Sequence, residues 1–302
     1  MPSPEPTASR CAVASRASGE SGVGTAPPVR RWLLLEQPGP WSRTALQEVL
    51  AALPGDVRAT VARLTREAGL RTLLVRRPGG GALHEGARRV HLGSCAGTAS
   101  WLEALDVPDL AALADVPLDA LAAGEPLGLG APAGPLALVC THGTKDLCCA
   151  VDGRPVAAAL AQAYGEAAWE CSHVGGDRFA GNLVVAPHGE FHGRVEAEGG
   201  LATFAAALAG EVRPTTMRGR ASYDPWQQTA EVEVRAQLGL LARGDVECGP
   251  ARPDGSTARV PVTLPSGGVE VLVERRVGHT LEASRCRPGM ELFAYEAALP
   301  GR

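Results

Sequence analysis

At 302 residues, 45% hydrophobic and 21% charged, the chain is long enough for two ordinary domains with an extra module and has the apolar content to fill their cores. Its formal net charge of −4, spread without long runs of either sign, leaves no electrostatic footprint for nucleic acid or for an anionic membrane surface. No stretch offers the roughly 18 uninterrupted apolar residues of a membrane span, and residues 1–28 hold no secretory apolar run, so the expectation is a cytoplasmic chain with a disordered segment over 1–28.

In chain order, RRWLLLEQPGPW (30–41) reads as a buried strand stopped by Pro-Gly-Pro. SRTALQEVLAALP then sets Leu46, Val49, Leu50 and Leu53 at helical spacing behind a Ser42 cap. A second helical run carries Val57, Val61, Leu64 and Ala68 and ends at Gly69. LRTLLVRRP returns as a strand, RRVHLGS is another, and ASWLEAL and PDLAALAD are predicted helical. This alternation predicts an α/β N-terminal domain over 29–128. GEPLGLGAPAGP (124–135) is rich in Gly and Pro and marks a boundary near residue 128.

A strand, LALVC, opens the next domain. It is followed by a cysteine-containing loop, a helix with Pro155 in its first turn and Gly165 at its end, strands in AAWECSH, NLVVAP and EFHGRV, and a helix in LATFAAALAGEV. The order β-α-β-β-β-α over 129–225 is close to a thioredoxin-like core. Beyond it, PWQQTAEVEVRAQLGLLARG is predicted helical and ARVPVTLPSGGVEVLVERR a hairpin, together an α+β module over 226–302. The two main halves share a strand, helix, strand order, but no residues visibly repeat.

Four of the eight cysteines and two of the seven histidines fall in CTHGTKDLCC (140–149) and CSHVGGDRF (171–179). Without a secretion signal a disulfide framework is not expected, and reduced thiols are available to a metal. Cys140 and Cys149 enclose eight residues in a loop between strand and helix, so both sulfurs are able to face one ion. In AAWECSH strand geometry puts Trp169, Cys171 and His173 on one face, Cys171 and His173 roughly 7 Å apart. Gly175 and Gly176 permit a turn that brings Asp177 beside His173, as a second ligand or as a hydrogen-bonded His-Asp pair. Cys148 and Cys171 read as packing residues. Cys11, Cys95, Cys248 and Cys286 read as passive, and His188 and His192 as solvent-facing neighbours of a hairpin turn.

CTHGTKDLCCAVDGRPV and CSHVGGDRFAGNLVVAPHGEFHGRV resemble the sucrase/ferredoxin-like family, most strongly over about 136–212, and less specifically from CAVASR and RRWLLLE through DPWQQTAEVEVR. The resemblance implies a thioredoxin-like ferredoxin domain with a [2Fe-2S] cluster. It implies Cys140 and Cys149 as thiolate ligands of one iron and His173 as a ligand of the other. Asp177 stands where the family has a second histidine, and thiolates and imidazoles are the usual ligands of such clusters, so Asp177, Cys148 or Cys171 completes the set or the cluster is absent. With the cluster, the chain is an electron carrier rather than a stand-alone enzyme, working with an unidentified redox donor or acceptor protein. Lys145 and Arg178 lie beside the implied ligands.

Two other readings stand beside this one. A thiol-dependent oxidoreductase without a cluster would use Cys148, Cys149 or Cys171. A non-catalytic scaffold would hold zinc on the same cysteines and histidine. A nucleotide site is not expected, since RRPGGGALHEGARR has neither P-loop nor dinucleotide-fold spacing, and no pair of carboxylates is singled out for glycoside hydrolysis.

Overall fold

The structure is a computed structural model and describes residues 10–96, 100–280 and 291–299. After helix α1 (Cys11–Ala17), the chain forms β1 (Arg31–Glu36), α2 (Ala45–Ala52), α3 (Gly55–Glu67), β2 (Leu70–Arg76), β3 (Arg88–Ser94), β4 (Trp101–Val107) and the short β5 (Ala131–Pro132). There follow β6 (Leu136–Cys140), α4 (Leu147–Tyr164), β7 (Ala168–Cys171), β8 (Leu183–Ala186), β9 (Glu190–His192), α5 (Ala197–Leu208) and β10 (Met217–Arg220). The fold is α/β, and its second half has the β-α-β-β-β-α order expected of a thioredoxin-like core.

These strands make one sheet of ten, in the order β10-β9-β8-β6-β7-β2-β1-β3-β4-β5. The order is the same motif written twice about its centre. In each half the first two strands are parallel, β1 with β2 and β6 with β7, joined by helices. The third and fourth add antiparallel, β3 and β4 on one side, β8 and β9 on the other. Parallel neighbours require such a crossover. The halves meet where β2 and β7 pair antiparallel at their C-terminal ends, Val75 opposite Cys171 and Arg76 opposite Glu170. The sheet therefore runs unbroken through the expected boundary near residue 128. The two halves thus share one topology although no residues visibly repeat between them.

The β1 and β6 runs, RWLLLE and LALVC, are buried along nearly their whole length, as central strands covered on both faces must be. One core cluster joins the halves, placing Trp32, Leu34, Leu73 and Val75 with Leu138, Cys140, Cys149, Trp169, Cys171 and Phe191. Trp32 Nε1 donates to the Pro187 carbonyl at 3.0 Å, a further tie across the halves.

Past the sheet, α6 (Pro225–Leu238) begins at an Asp224 capping box and ends at Gly239 in the left-handed region. It packs on a separate antiparallel sheet of β11 (Glu247–Cys248), β12 (Arg252–Asp254), β13 (Thr257–Leu264), β14 (Gly267–Thr280) and β15 (Glu291–Ala298). No helix among the described residues is long and apolar enough to cross a membrane.

Four expectations are corrected. Residues 11–17, expected within a disordered segment, form α1 with Cys11, Ala12 and Ser15 buried; residues 1–9 lie outside the described residues. The segment WLEAL, expected helical, is strand β4. Its register against β3 fills seven consecutive pairs, and strand pairing overrides the local helical spacing. PDLAALAD gives only a 3₁₀ turn at Leu110–Asp115. Helix α4 starts eight residues before Pro155, because Asp146 caps it by accepting the Cys148 N–H at 2.8 Å.

Candidate metal centre

The early start of α4 decides the geometry of the site. Cys140 is the last residue of β6 and Cys149 lies in the first turn of α4, so both sulfurs meet at the strand-to-helix turn. Gly153 permits this approach, since a Cβ there would fall 2.2 Å from the Cys140 carbonyl oxygen. The positive end of the helix dipole at this turn favours thiolates.

Proximity of the Cys149 sulfur holds Cys140 well below the ordinary cysteine range despite its burial, with His173 adding to the effect. The neighbouring Cys140 sulfur and burial push Cys149 correspondingly up.

His173 follows the end of β7, and its Nδ1 lies 3.7 Å from the Cys149 sulfur. Ligand atoms of Cys140, Cys149 and His173 all lie within 4.8 Å of one another, the cysteines buried and the histidine half-buried. Trp169 and Cys171 join the same core cluster, but β7 ends at Cys171, so His173 belongs to the loop rather than to their strand face. Cys171 pairs in register with Cys140 and is raised well above the usual thiol range by desolvation.

Asp177 does not join the three. Its Oδ2 accepts from the Cys11 sulfur at 3.4 Å, and among the described residues no hydrogen bond links it to His173. Cys11, read as passive from sequence, sits against Cys148 with the sulfurs 3.3 Å apart. Cys11, Asp146 and Cys148 form a second group of potential ligands. The implied set of four is therefore three convergent donors and a carboxylate engaged by a neighbouring thiol.

The turn from His173 to Asp177 is built around Arg218, a residue of β10 that the sequence did not single out. Its guanidinium donates to the Gly175 carbonyl at 3.1 Å, to Asn182 Oδ1 at 2.8 Å and to the Thr25 carbonyl at 2.7 Å. Asn182 in turn donates to the Gly176 carbonyl at 2.8 Å. Gly176 has φ 74°, and a Cβ there would lie 2.5 Å from Arg218 Nη2, so the turn needs glycine twice over. Burial, with help from Arg178, lowers the Arg218 pKa to about 9; Asp177 and Cys140 oppose that fall.

Arg71, on β2 of the first half, donates to the His173 carbonyl at 3.1 Å, and burial lowers its pKa while Cys171 and Cys140 raise it. Arg178, expected beside the ligands, instead pairs with Glu20 at 2.6 Å.

The first half also braces the ligand loop. His142 Nε2 donates to the Ser42 carbonyl at 2.8 Å, Thr144 Oγ1 to the Trp41 carbonyl at 2.9 Å, and Arg43 to the Lys145 carbonyl at 3.3 Å. His142 Nδ1 accepts the His173 backbone N–H at 3.4 Å. With Nε2 donating, this is the tautomer that leaves Nδ1 free to accept. Between these loops opens a cleft of about 890 Å³, lined in part by Trp41, Arg76, Thr141, His142 and Glu170. In the first half Glu36 occupies the end of β1, as Cys140 does that of β6, and its carboxylate accepts backbone N–H groups of Leu83 and Arg89. The donor set therefore belongs to the second half alone. His192 and His188, expected to face water, are drawn inward: His192 is 1% exposed with Thr216 Oγ1 at 3.0 Å, and His188 Nδ1 lies 2.6 Å from Ser100 Oγ.

Comparison with protein families matches the sucrase/ferredoxin-like family model over residues 22–219. The chain belongs to the sucrase/ferredoxin-like family. The matched span takes in nearly the whole ten-stranded sheet, both halves included, and stops before α6. No curated protein and no solved structure matches the chain.

Proposed function

We propose that this member of the sucrase/ferredoxin-like family is an electron-transfer protein that holds a [2Fe-2S] cluster through Cys140 and Cys149 on one iron and His173 on the other. Asp177 is the remaining ligand once it leaves Cys11. The observation that carries the proposal is the convergence of two buried sulfurs and one imidazole nitrogen on one point at a helix N-terminus. That donor chemistry suits an iron–sulfur centre, whose ligands are thiolates and imidazoles. The cluster supplies one-electron transfer.

The surrounding residues serve an anionic centre. The N-terminus of α4, Arg71 at the His173 carbonyl and the buried Arg218 beneath the His173–Asp177 turn all place positive potential beside the thiolates. Imidazole in place of a thiolate leaves less negative charge and raises the potential; carboxylate ligation by Asp177 partly reverses that. Packing by the first half, through Ser42, Trp41 and Arg43, keeps the ligand loop in one conformation. Small reorganisation between oxidation states is what an electron carrier needs, and an unidentified protein donor or acceptor completes the reaction.

A second reading is a single zinc ion on the same three residues, favoured by the mutual separation of under 4.8 Å, which suits one tetrahedral ion. Iron, zinc and acid-labile sulfide in anaerobically purified protein distinguish the two. Two irons and two sulfides per chain, lost in Cys140→Ala and spectrally shifted in His173→Ala and Asp177→Ala, support the cluster. Stoichiometric zinc without sulfide supports the second reading and overturns the first.

A further inference from the structure

We propose that Cys11 and Cys148 form a reversible disulfide that fastens the N-terminal helix to the ligand-bearing helix. The sulfurs are 3.3 Å apart across 137 residues of chain, and each residue is 1% exposed. That separation is inside ordinary sulfur–sulfur contact, and closing to the roughly 2.05 Å of a disulfide asks for a small rotation of two side chains. Two buried cysteines elsewhere are engaged differently: Cys95 donates to the Val29 carbonyl and Cys248 to the Gln227 carbonyl. In Cys11 and Cys148, by contrast, sulfur meets sulfur.

Two carboxylates border the pair. Asp177 Oδ2 is 3.4 Å and the Asp146 oxygens 3.9 and 4.0 Å from the Cys11 sulfur. With a peroxide as oxidant, the Cys11 sulfur bonds to one peroxide oxygen and the O–O bond breaks. The departing hydroxide takes the Cys11 proton and leaves as water. The Cys148 sulfur then displaces the oxygen from the resulting Cys11 sulfenic acid, forming the S–S bond. The displaced hydroxide takes the Cys148 proton and leaves as a second water. Two electrons pass from the sulfurs to the peroxide, and a dithiol reductant returns two electrons and two protons. Because both thiols are buried, a small oxidant reaches them as α1 opens.

The consequence falls on access to Asp177. Helix α1 packs against the Asp177–Phe179 turn, and Arg16 donates to the Ala180 carbonyl at 3.3 Å. The oxidised pair locks α1 over that turn; the reduced pair lets it lift. The disulfide uses none of the three convergent donors, because Cys148 groups with Cys11 and Asp146 whereas Cys149 groups with Cys140 and His173.

The test uses the full chain, reduced, freed of reductant and exposed anaerobically to one equivalent of hydrogen peroxide. It is then alkylated, digested and analysed without reduction by tandem mass spectrometry. The expected product is a CAVASR peptide linked through Cys11 to Cys148, reversed by dithiothreitol. In intact protein, tryptic cleavage at Arg10 and Arg16 should slow about tenfold on oxidation, as a cross-link restricts local opening. Cys148→Ser should abolish the link, and Cys149→Ser should keep it. A link confined to Cys140–Cys149 or Cys148–Cys149, a Cys11 alkylated equally before and after peroxide, or one zinc lost specifically in Cys11→Ser overturns the proposal. Peptide mapping of the wild-type chain distinguishes these outcomes even if a variant fails to fold. Iron and sulfide content, measured separately, tests the cluster and not the disulfide.

Discussion

Replacing Gly153 by alanine tests the idea that close helix–strand approach creates the metal centre. A Cβ at this position would sit 2.2 Å from the Cys140 carbonyl oxygen and 3.3 Å from its carbon. Ordinary contact lies near 3.5 Å, so α4 must withdraw from β6 by about 1 Å. Neither side yields easily, since one partner is sheet backbone and the other the interior of an 18-residue helix. Overpacking of this kind costs about 3 kcal/mol, and the better helix propensity of alanine returns about 1 kcal/mol. The expected net loss is about 2 kcal/mol. Gly199, in α5, is the control: its Cβ would meet only Val195 Cγ1 at 3.9 Å, so Gly199→Ala keeps the propensity gain of about 1 kcal/mol without the clash. Urea unfolding followed by tryptophan fluorescence should separate the two variants by about 3 kcal/mol. Metal retention should fall in Gly153→Ala alone, because both ligating sulfurs ride on the displaced contact. Equal midpoints, or equal metal content, would refute the reasoning.

Gly176→Ala should destabilise the chain by about 2 kcal/mol, since φ 74° and Arg218 Nη2 at 2.5 Å both oppose a side chain; unfolding midpoints check the cost, and the visible spectrum of the metal-loaded protein reads the displaced His173–Asp177 turn. His192 is buried neutral, its pKa lowered to about 4 chiefly by desolvation. The unfolded chain, with an ordinary value near 6.5, therefore binds the extra proton between pH 6.5 and 4. Stability contributed by this residue is unchanged above pH 6.5 and falls as pH drops through that window, by up to about 3 kcal/mol. His192→Gln should flatten the acid limb of the midpoint-against-pH curve by about one proton, and an unchanged limb would contradict the burial of a neutral ring.

Where the residues repeat with a clear period, local pattern and final structure agree. The strands at 31–36, 70–76 and 136–140 and the helices at 45–52 and 55–67 follow from apolar spacing and breakers such as Pro38 and Gly69. The resemblance carried by the 140–149 and 171–179 stretches pointed to Cys140, Cys149 and His173, whose ligand atoms lie within 4.8 Å of one another. Legibility failed where a long-range partner decides. WLEAL has helical spacing, yet β3 supplies a full ladder and makes it a strand. CAVASR looks like loose terminus, yet Cys11 finds Cys148 and Asp177 more than a hundred residues away. Arg218 carries no motif at all; its role exists only because β10 runs beneath the glycine turn.

The amino-acid order alone determined the α/β class and the family resemblance, which depend on local periodicity and on short motifs; Cys140, Cys149 and His173 came with what that resemblance implies. Tertiary structure decided the rest. It joined two halves of the same topology through two residue pairs of β2 and β7 and turned Asp177 toward Cys11. Both rest on contacts between segments far apart in the chain, whose free energy no local window contains.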